Sequence, residues 1–329
     1  MTKKHSLFGS NLLGLLADEV GLHLCDVGSR GGVLPDFLPA AEFTQVTGFE
    51  PETKECARLN QVAAQLPKIW KQEDHYPVAL GERDMFQELI ICNAPGCSST
   101  LEPVTKFAVE YGREQPFGVV DRIQMEVKSL DGFCASNGIA DLDFLKVDVQ
   151  GGELAILKGA SQIVSNQLLG IRCEVEFAHL YSGQPLFSEM EMYLRESGFY
   201  PADWLYVRHW RNDLRFEHGQ FSRKSDVPYS RGRLIHSDVL FLRDHHWIVA
   251  NMNDADNKLC RLMLMALLYH HVDLALTILP LIKSNRIING ATPEQWRLEL
   301  GMVSKTLAKM AFYKSASDLA TKFRRLLCR

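Results

Sequence analysis

The chain has 329 residues, of which 46% are hydrophobic and 23% charged, and its formal net charge is −4. This length allows one large domain with an appendage or two domains, and the acidic balance argues against a dedicated nucleic-acid binder. The charge is uneven, since the segment from His245 onward has 12 Lys and Arg against 6 Asp and Glu and so carries about +6. We interpret this tail as a solvated helical face, with a contact surface for an acidic partner or an anionic membrane as the alternative.

Eight cysteines are present, without a Cys-x-x-Cys pair or a histidine pair at zinc-ligand spacing. This usage is typical of a reducing compartment. Asp18 and Glu19 interrupt the N-terminal apolar stretch, unlike a signal peptide, and the longest apolar run of the tail, 262–269, is too short to span a bilayer. We therefore predict a cytoplasmic protein without a transmembrane segment.

The predicted elements alternate between strand and helix, which indicates a doubly wound α/β sheet. A lead-in helix at 6–20 comes first, and a further helix starts after Gly32. Segment 93–117 holds glycine, proline and serine without clear periodicity, so we predict a long loop that could serve as a lid. The other predicted strands are 22–27, 43–49, 78–80, 88–92, 123–127, 144–149, 170–177, 200–207 and 234–242, and the other helices are 52–65, 130–137, 153–164 and 190–197.

The last two strands are expected to form an antiparallel closing pair, joined by a charged, flexible loop at 209–233. From Asn257 the pattern is helical only, and Thr292-Pro293-Glu294-Gln295 is typical of a helix start. We predict a lead-in helix at 1–20, a sheet domain at 21–244 and a helical extension at 245–329. The extension is expected to pack against the sheet domain or to form a homo-oligomer contact.

A glycine-rich turn follows the first strand, in the pattern Asp26-x-Gly28-x-x-Gly31-Gly32, and Glu50 ends the second strand. This is the layout of a nucleotide-type cofactor site at the carboxyl edge of a parallel sheet, where glycine lets the backbone approach a ligand. Arg30 occupies the position of the second glycine of a dinucleotide fingerprint, which disfavours NAD. An acid before the turn suits the ammonium and sulfonium groups of S-adenosylmethionine (SAM). The alternative is a turn that only links a strand to a helix.

Asp148 follows the strand at 144–149 and is therefore expected at the same edge of the sheet. It would bind the amino-acid end of SAM or a substrate hydroxyl, unless it only caps the following helix. The predicted cofactor-binding residues are Asp26, Gly28, Ser29, Gly32, Glu50, Leu80 and Asp148.

Six separated blocks of residues 20–243 resemble the FkbM-type methyltransferases. They include Asp26-Val-Gly28, Gly48-Phe-Glu50-Pro51, Leu145-Lys-Val-Asp148-Val-Gln-Gly151 and Glu174-Val-Glu176-Phe177. The resemblance implies a class I SAM-dependent fold with a seven-stranded sheet and, commonly, O-methylation of sugars or other hydroxylated metabolites. Two departures are Gln150, where the family often has glutamate, and Ser29-Arg30, which replaces a common alanine–asparagine pair.

A hydroxyl nucleophile must lose a proton during methyl transfer, so a base should lie nearby. Glu174 and Glu176 share a face of their strand by alternation, and the pair could raise one pKa or hold a divalent ion. His179 is a natural base near neutral pH. We predict Asp148, Glu176 and His179 as the catalytic residues, although either acid could instead be a structural partner of Arg172 and His179 could be structural.

The sequence thus predicts an enzyme that transfers a methyl group from SAM to an oxygen of a sugar or glycosylated metabolite. The acceptor would be a small molecule or a glycan. The alternative is a non-catalytic SAM-fold protein whose tail is its working surface. His245-His246 and His270-His271 are expected to be structural, because adjacent residues do not share a helix face, and no metal-binding set is predicted.

Overall fold

The computed structural model describes residues 7–9, 11–214, 227, 229–283 and 290–327, with side chains described up to residue 312. Residues 215–226 and 228, which belong to the predicted charged loop, lie outside the described residues. The strands are β1 (Leu22–Val27), β2 (Thr44–Phe49), β3 (Gln72–Tyr76), β4 (Ala79–Gly81), β5 (Met85–Cys92), β6 (Val119–Ser129), β7 (Phe144–Val147), β8 (Gly170–Glu176), β9 (Phe199–Trp210) and β10 (Arg233–Arg243).

The α-helices are α1 (Leu12–Val20), α2 (Thr53–Ala63), α3 (Thr105–Glu110), α4 (Leu130–Asn137), α5 (Glu153–Gly159), α6 (Ser161–Asn166), α7 (Phe187–Glu196), α8 (His245–Asn251), α9 (Ala255–Leu268), α10 (Val272–Ile278) and α11 (Pro293–Leu327). Short 3-10 helices occupy Pro35–Phe43, Pro95–Cys97 and Leu279–Leu281. None of the helices in the described part of the chain has the length and apolar content needed to cross a bilayer.

The main sheet has seven strands in the order β3-β2-β1-β7-β8-β10-β9. Neighbouring strands among β3, β2, β1, β7 and β8 pair in parallel. The strand β10 is antiparallel to both β8 and β9. The chain order reverses between β1 and β7, which is the switch point where ligands bind in sheets of this kind. The predicted seven-stranded α/β fold with a closing antiparallel pair is therefore confirmed.

Three predicted strands form a sheet of their own. The strands predicted at 78–80, 88–92 and 123–127 correspond to β4, β5 and β6, which pair in the order β4-β6-β5. The strand predicted at 88–92 is β5, which lies at the edge of this second sheet and pairs with β6 from Met85 to Cys92. A strand-like pattern fixes the local conformation but not the pairing partner.

Several helix predictions differ from the structure in detail. The segment after Gly32 is a 3-10 helix with Pro39 inside it, because proline lacks the N–H that an α-helix interior needs. The helix predicted at 153–164 is split at Ala160 into α5 and α6. The predicted loop at 93–117 contains α3 and a 3-10 turn. At the start of α11 the predicted cap is present, since the hydroxyl of Thr292 accepts from the N–H of Gln295 and the Gln295 side chain accepts from the N–H of Thr292.

The chain divides into two compact units. One unit comprises Met1–Gly21, Pro35–Phe43 and Ile248–Arg329, and the other comprises Leu22–Leu34 and Thr44–Trp247. In the second unit, one face of the main sheet packs its apolar side chains against α4, α5, α6 and α7. Alternate residues of β1, β7, β8 and β10 build this core, so the residues between them point to the opposite face of the sheet. The core residues from these strands are Cys25, Val27, Leu145, Val147, Ile171, Cys173, Val175, Val239 and Phe241.

Candidate active site

The glycine turn after β1 is held against the ends of two neighbouring strands. The N–H groups of Gly28 and Ser29 both donate to the carbonyl of Phe49 at the end of β2. Gly28 has φ of +75°, and a Cβ built on it would overlap the carbonyl oxygen of Asp148. Only glycine therefore allows the loop after β1 to cross the loop after β7 at this distance. Gly28 and Asp148, which were predicted separately, lie in direct backbone contact.

Asp26 is buried beneath this turn, with 1% of its surface exposed. Its Oδ2 accepts from the N–H of Leu34 at 2.9 Å, and its Oδ1 lies 3.3 Å from the Nζ of Lys146. The same Nζ donates to the carbonyl of Gly28 at 2.8 Å and lies 4.0 Å from Oδ2 of Asp148. Lys146 therefore links two predicted site residues to the turn, although the sequence reasoning gave it no role.

Glu50 lies at the tip of β2 and is 4% exposed. Its Oε1 accepts from the N–H of Glu52 at 3.0 Å, and its Oε2 lies 3.9 Å from Nε of Arg30. Arg30 also forms an ion pair with Glu52. The predicted ribose-binding carboxylate is thus placed beside the glycine turn by the backbone of β2.

Ser29 faces the protein interior. Its hydroxyl lies 3.1 Å from Nδ1 of His75 in β3, and Nε2 of that ring lies 2.9 Å from Oε1 of Glu73. Asn60 of α2 fixes His75 further, because its amide pairs with both the N–H and the carbonyl of that residue. The side chain of Ser29 therefore anchors the turn to the sheet edge.

Gly32 and Leu80 complete the predicted cofactor set. Gly32 has φ of +127° and open space where a Cβ would stand, so its backbone conformation is the reason for glycine there. Leu80 lies in β4 of the three-stranded sheet, where it pairs with Lys128 and packs against the apolar core.

A group of polar side chains lies on the face of the main sheet opposite the α4–α7 core, towards the carboxyl ends of β1, β7 and β8. The strand registers place Lys146 beside Asp26 and Arg172, Asp238 beside Glu174, and His236 beside Glu176. We call this group the polar face, and its members are Asp26, Lys146, Arg172, Glu174, Glu176, His236 and Asp238. Charged side chains grouped on the face of a sheet, with raised pKa values among them, are typical of a functional site.

Burial raises the pKa of three glutamates of this region, Glu153, Glu174 and Glu176, above the ordinary value, and the contact with His236 opposes part of this rise for Glu174. Glu153 is 3% exposed and accepts from the N–H groups of Val149 and Gly151. Burial first, and then the charge of Glu174, raises the pKa of Glu153 to about 8. Burial and the neighbouring Glu153 and Glu174 also raise the pKa of Glu176 well above its ordinary value. This environment therefore favours the protonated form of Glu176 more than water does for an exposed glutamate.

Glu174 is the centre of a polar network. Its Oε2 accepts from Nε2 of Gln150 at 2.7 Å, and its Oε1 lies 2.7 Å from Nδ1 of His236. Nε2 of Gln150 also lies 3.4 Å from Oδ1 of Asp148. The hydroxyl of Tyr181 lies 3.4 Å from Oε1 of Gln150. Gln150, at the position where the resemblance suggests glutamate, thus bridges Asp148 and Glu174.

His179 lies on the loop after β8, where its Nδ1 faces the carbonyl of Gln184 at 3.0 Å. Since a carbonyl only accepts, that nitrogen carries the proton and the basic lone pair is on Nε2. The structure brings Asp148 and Glu176 to the polar region at the carboxyl ends of β7 and β8 and places His179 three residues beyond Glu176. Within the described ranges, no group of three or more His, Cys, Asp or Glu is arranged to hold a metal ion.

Lys146, Glu153 and His236 were not predicted as site residues. Alternation would have placed Lys146 on the face of Asp148, and Glu153 is the first residue of α5, where an acid is common for reasons of helix stability alone. His236 comes from a strand far along the chain, and only the register of β10 against β8 brings it to Glu174.

The sheet order, the glycine turn and the acids at its carboxyl edge are those of a Rossmann-like class I methyltransferase fold. Residues 27–201, more than half of the chain, match the sequence profile of the "Methyltransferase FkbM domain" family. The chain therefore belongs to the FkbM methyltransferase domain family. No curated protein sequence matches it.

Three solved structures match the chain at low similarity. A methyltransferase FkbM from Methylobacillus flagellatus is 15% identical with a TM-score of 0.35, over 68% of this chain and 44% of that one. Magnesium protoporphyrin IX methyltransferase (ChlM) from Synechocystis, solved with bound SAM, is 13% identical with a TM-score of 0.33, over 71% and 76%. A SAM-dependent methyltransferase from Agrobacterium tumefaciens is 12% identical with a TM-score of 0.29, over 70% and 60%. The chain thus spans less than half the length of the Methylobacillus protein.

Proposed function

We propose that this chain binds SAM at the carboxyl edge of β1 and β2 and transfers its methyl group to a hydroxyl oxygen of a sugar or glycosylated metabolite. The main support is the buried carboxylate of Glu50, placed at the strand tip directly beside the glycine turn. A carboxylate in this position accepts hydrogen bonds from both hydroxyls of a ribose.

The charges around the turn fit SAM better than a dinucleotide. Among the described residues, the carboxylates of Asp26, Glu50 and Asp148 face the cations of Lys146 and Arg30. This surplus of negative charge suits a ligand with an ammonium and a sulfonium, and it repels a diphosphate. When bound, SAM would supply an electrophilic methyl group.

The protein's own contribution is to position the reactants. Glu50 and Asp26 would hold the nucleoside and the cationic end of SAM, with Gly28, Gly32 and the backbone of Ser29 shaping the turn. Leu80 would provide apolar contact, and Asp148 would orient the donor or the acceptor hydroxyl. Glu176 and His179 remain predicted catalytic residues that would take the proton of the acceptor, and the segment 93–117 is a proposed lid.

Calorimetric titration with SAM tests the binding step. We expect micromolar affinity for SAM and none for NAD, and a loss of at least about tenfold in Glu50→Ala, since a charge-assisted hydrogen bond contributes about 1.5–3 kcal/mol. Glu126→Ala, which removes an exposed carboxylate of β6, is the matched control and should bind normally. Normal affinity in Glu50→Ala would contradict the proposed site.

Transfer from methyl-tritiated SAM to a panel of monosaccharides and glycosides tests the reaction. Binding of SAM without transfer to any member of the panel would instead favour the alternative, a SAM-fold protein that binds without turnover.

A further inference from the structure

The polar face extends beyond the predicted cofactor end of the sheet into the antiparallel strand β10. His236 stands opposite Glu176 in the register, and its Nδ1 lies 2.7 Å from Oε1 of Glu174, an ion-pair contact in which the ring N–H is not aligned for a hydrogen bond. Both side chains are mostly buried, with 18% of His236 and 12% of Glu174 exposed. The ring also lies against Trp210 and Tyr206 of β9, at centroid distances of 6.2 and 6.5 Å. The imidazole is thus held on one edge by a carboxylate and on its sides by aromatic rings.

We propose that His236, oriented by Glu174, is the base that removes the proton of the acceptor hydroxyl. The proposal rests on the methyl transfer to oxygen proposed above. A carboxylate beside Nδ1 keeps the proton on that nitrogen and leaves the lone pair on Nε2, and it stabilises the imidazolium that forms when Nε2 takes a second proton. Glu174 acts through His236 and is therefore a positioning residue.

The two bases expected from the sequence are less suited to this step. Glu176 is only 2% exposed, so its carboxyl is less accessible to an acceptor hydroxyl than the ring of His236, of which 18% is exposed. His179 faces a neutral carbonyl through Nδ1, and a carbonyl stabilises an imidazolium less than a carboxylate does. His236 alone of the three combines a basic nitrogen with an adjacent carboxylate.

A chain of short contacts connects His236 to the proposed donor site. Glu174 also accepts from the amide of Gln150, and that amide lies 3.4 Å from Asp148. The backbone of Asp148 is in turn packed against Gly28. His236, Asp148 and the glycine turn are therefore connected through Glu174 and Gln150 at one end of the sheet. This connection keeps their relative positions fixed.

The step balances without any further reactant. As the acceptor oxygen forms its bond to the methyl carbon, its proton passes to Nε2 of His236. The carbon–sulfur bond of SAM breaks, and its electron pair returns to sulfur to give S-adenosylhomocysteine. The imidazolium, stabilised by Glu174, then releases the proton to water.

The first test needs no acceptor. Nitrogen-15 NMR of the full chain, labelled in histidine and saturated with S-adenosylhomocysteine, reports which ring nitrogen of His236 is protonated. We expect the Nδ1–H form in the wild type and a mixture of both forms in Glu174→Gln, with the resonance assigned by its loss in His236→Gln. An Nε2–H form in the wild type, or no change in Glu174→Gln, would overturn the proposal.

The second test measures turnover with the monosaccharide or glycoside that accepts label from tritiated SAM. His236→Gln should lose about a hundredfold or more in kcat, the scale of general base catalysis, with its SAM affinity unchanged. His209→Gln, on the adjacent strand β9, is the matched control and should keep full activity. Free imidazole should restore part of the activity of His236→Ala, which a purely structural role of the ring would not allow.

The outcomes separate this inference from the proposed function. If the wild type fails to bind SAM, the proposed function is wrong and this inference with it. If the wild type binds SAM and methylates an acceptor while His236→Gln keeps its kcat, only the assignment of the base is wrong.

Discussion

The crossing of the loops after β1 and β7 makes Gly28→Ala the most informative single substitution. An alanine at φ of +75° costs about 1–2 kcal/mol of left-handed strain. Its Cβ would also overlap the carbonyl oxygen of Asp148, and overpacking of this kind costs about 1–3 kcal/mol. We therefore expect Gly28→Ala to lower the free energy of unfolding by about 2–5 kcal/mol and to weaken SAM binding, because the two loops must move apart.

Gly31→Ala is the matched control, because Gly31 belongs to the same turn and has φ of +87° but open space around a Cβ. It should cost only the strain of about 1–2 kcal/mol. The lower entropy of the unfolded alanine chain affects both variants alike and cancels from the comparison. Urea denaturation followed by tryptophan fluorescence measures the difference between the two variants. Equal losses would refute the reasoning that a close backbone approach, and not the dihedral angle, requires glycine at residue 28.

Three further predictions concern buried polar groups. Arg243 is fully buried, and its guanidinium donates to carbonyls that include those of Leu168 and Ser197. Arg243→Met should therefore lower the free energy of unfolding, measured by urea denaturation, by about 3 kcal/mol or more. Retention of wild-type stability would contradict this. Burial raises the pKa of Glu153 from 4.5 to about 8, so the folded state binds more protons than the unfolded state in that interval. The free energy of unfolding should therefore fall as pH rises from about 4.5 to about 8. Glu153→Gln should flatten this dependence, which equilibrium unfolding at several pH values would measure. His75→Phe should weaken SAM binding in calorimetry because it releases the glycine turn from the sheet edge, and an unchanged Kd would show that the ring only fills space.

The sequence was sufficient to predict the fold because its signals are local. Short apolar runs that end in acids, a glycine turn and a helix start at Thr292 each depend on neighbouring residues, and the structure reproduces them. The assignment of β4, β5 and β6 to a separate sheet was not predictable in this way. A strand pattern does not reveal which strand will be its hydrogen-bonding neighbour.

The same division applies to the candidate site. Asp26, Gly28 and Glu50 stand at strand ends, so topology alone predicts that they meet at one edge of the sheet. Glu174 and Glu176 could be placed on one face by alternation. Their partner His236 is 60 residues away from Glu176 in the sequence, and nothing local to either residue indicates that they face each other.

The sequence by itself thus determined the class of fold, the edge that carries the site and the acids that stand there, because strand alternation and glycine chemistry act over a few residues. Only the tertiary structure decided the contact of Gly28 with Asp148, the raised pKa values of Glu153 and Glu176, and the pairing of Glu174 with His236. These features depend on strand register and on burial, and both are set by the packing of the whole sheet domain.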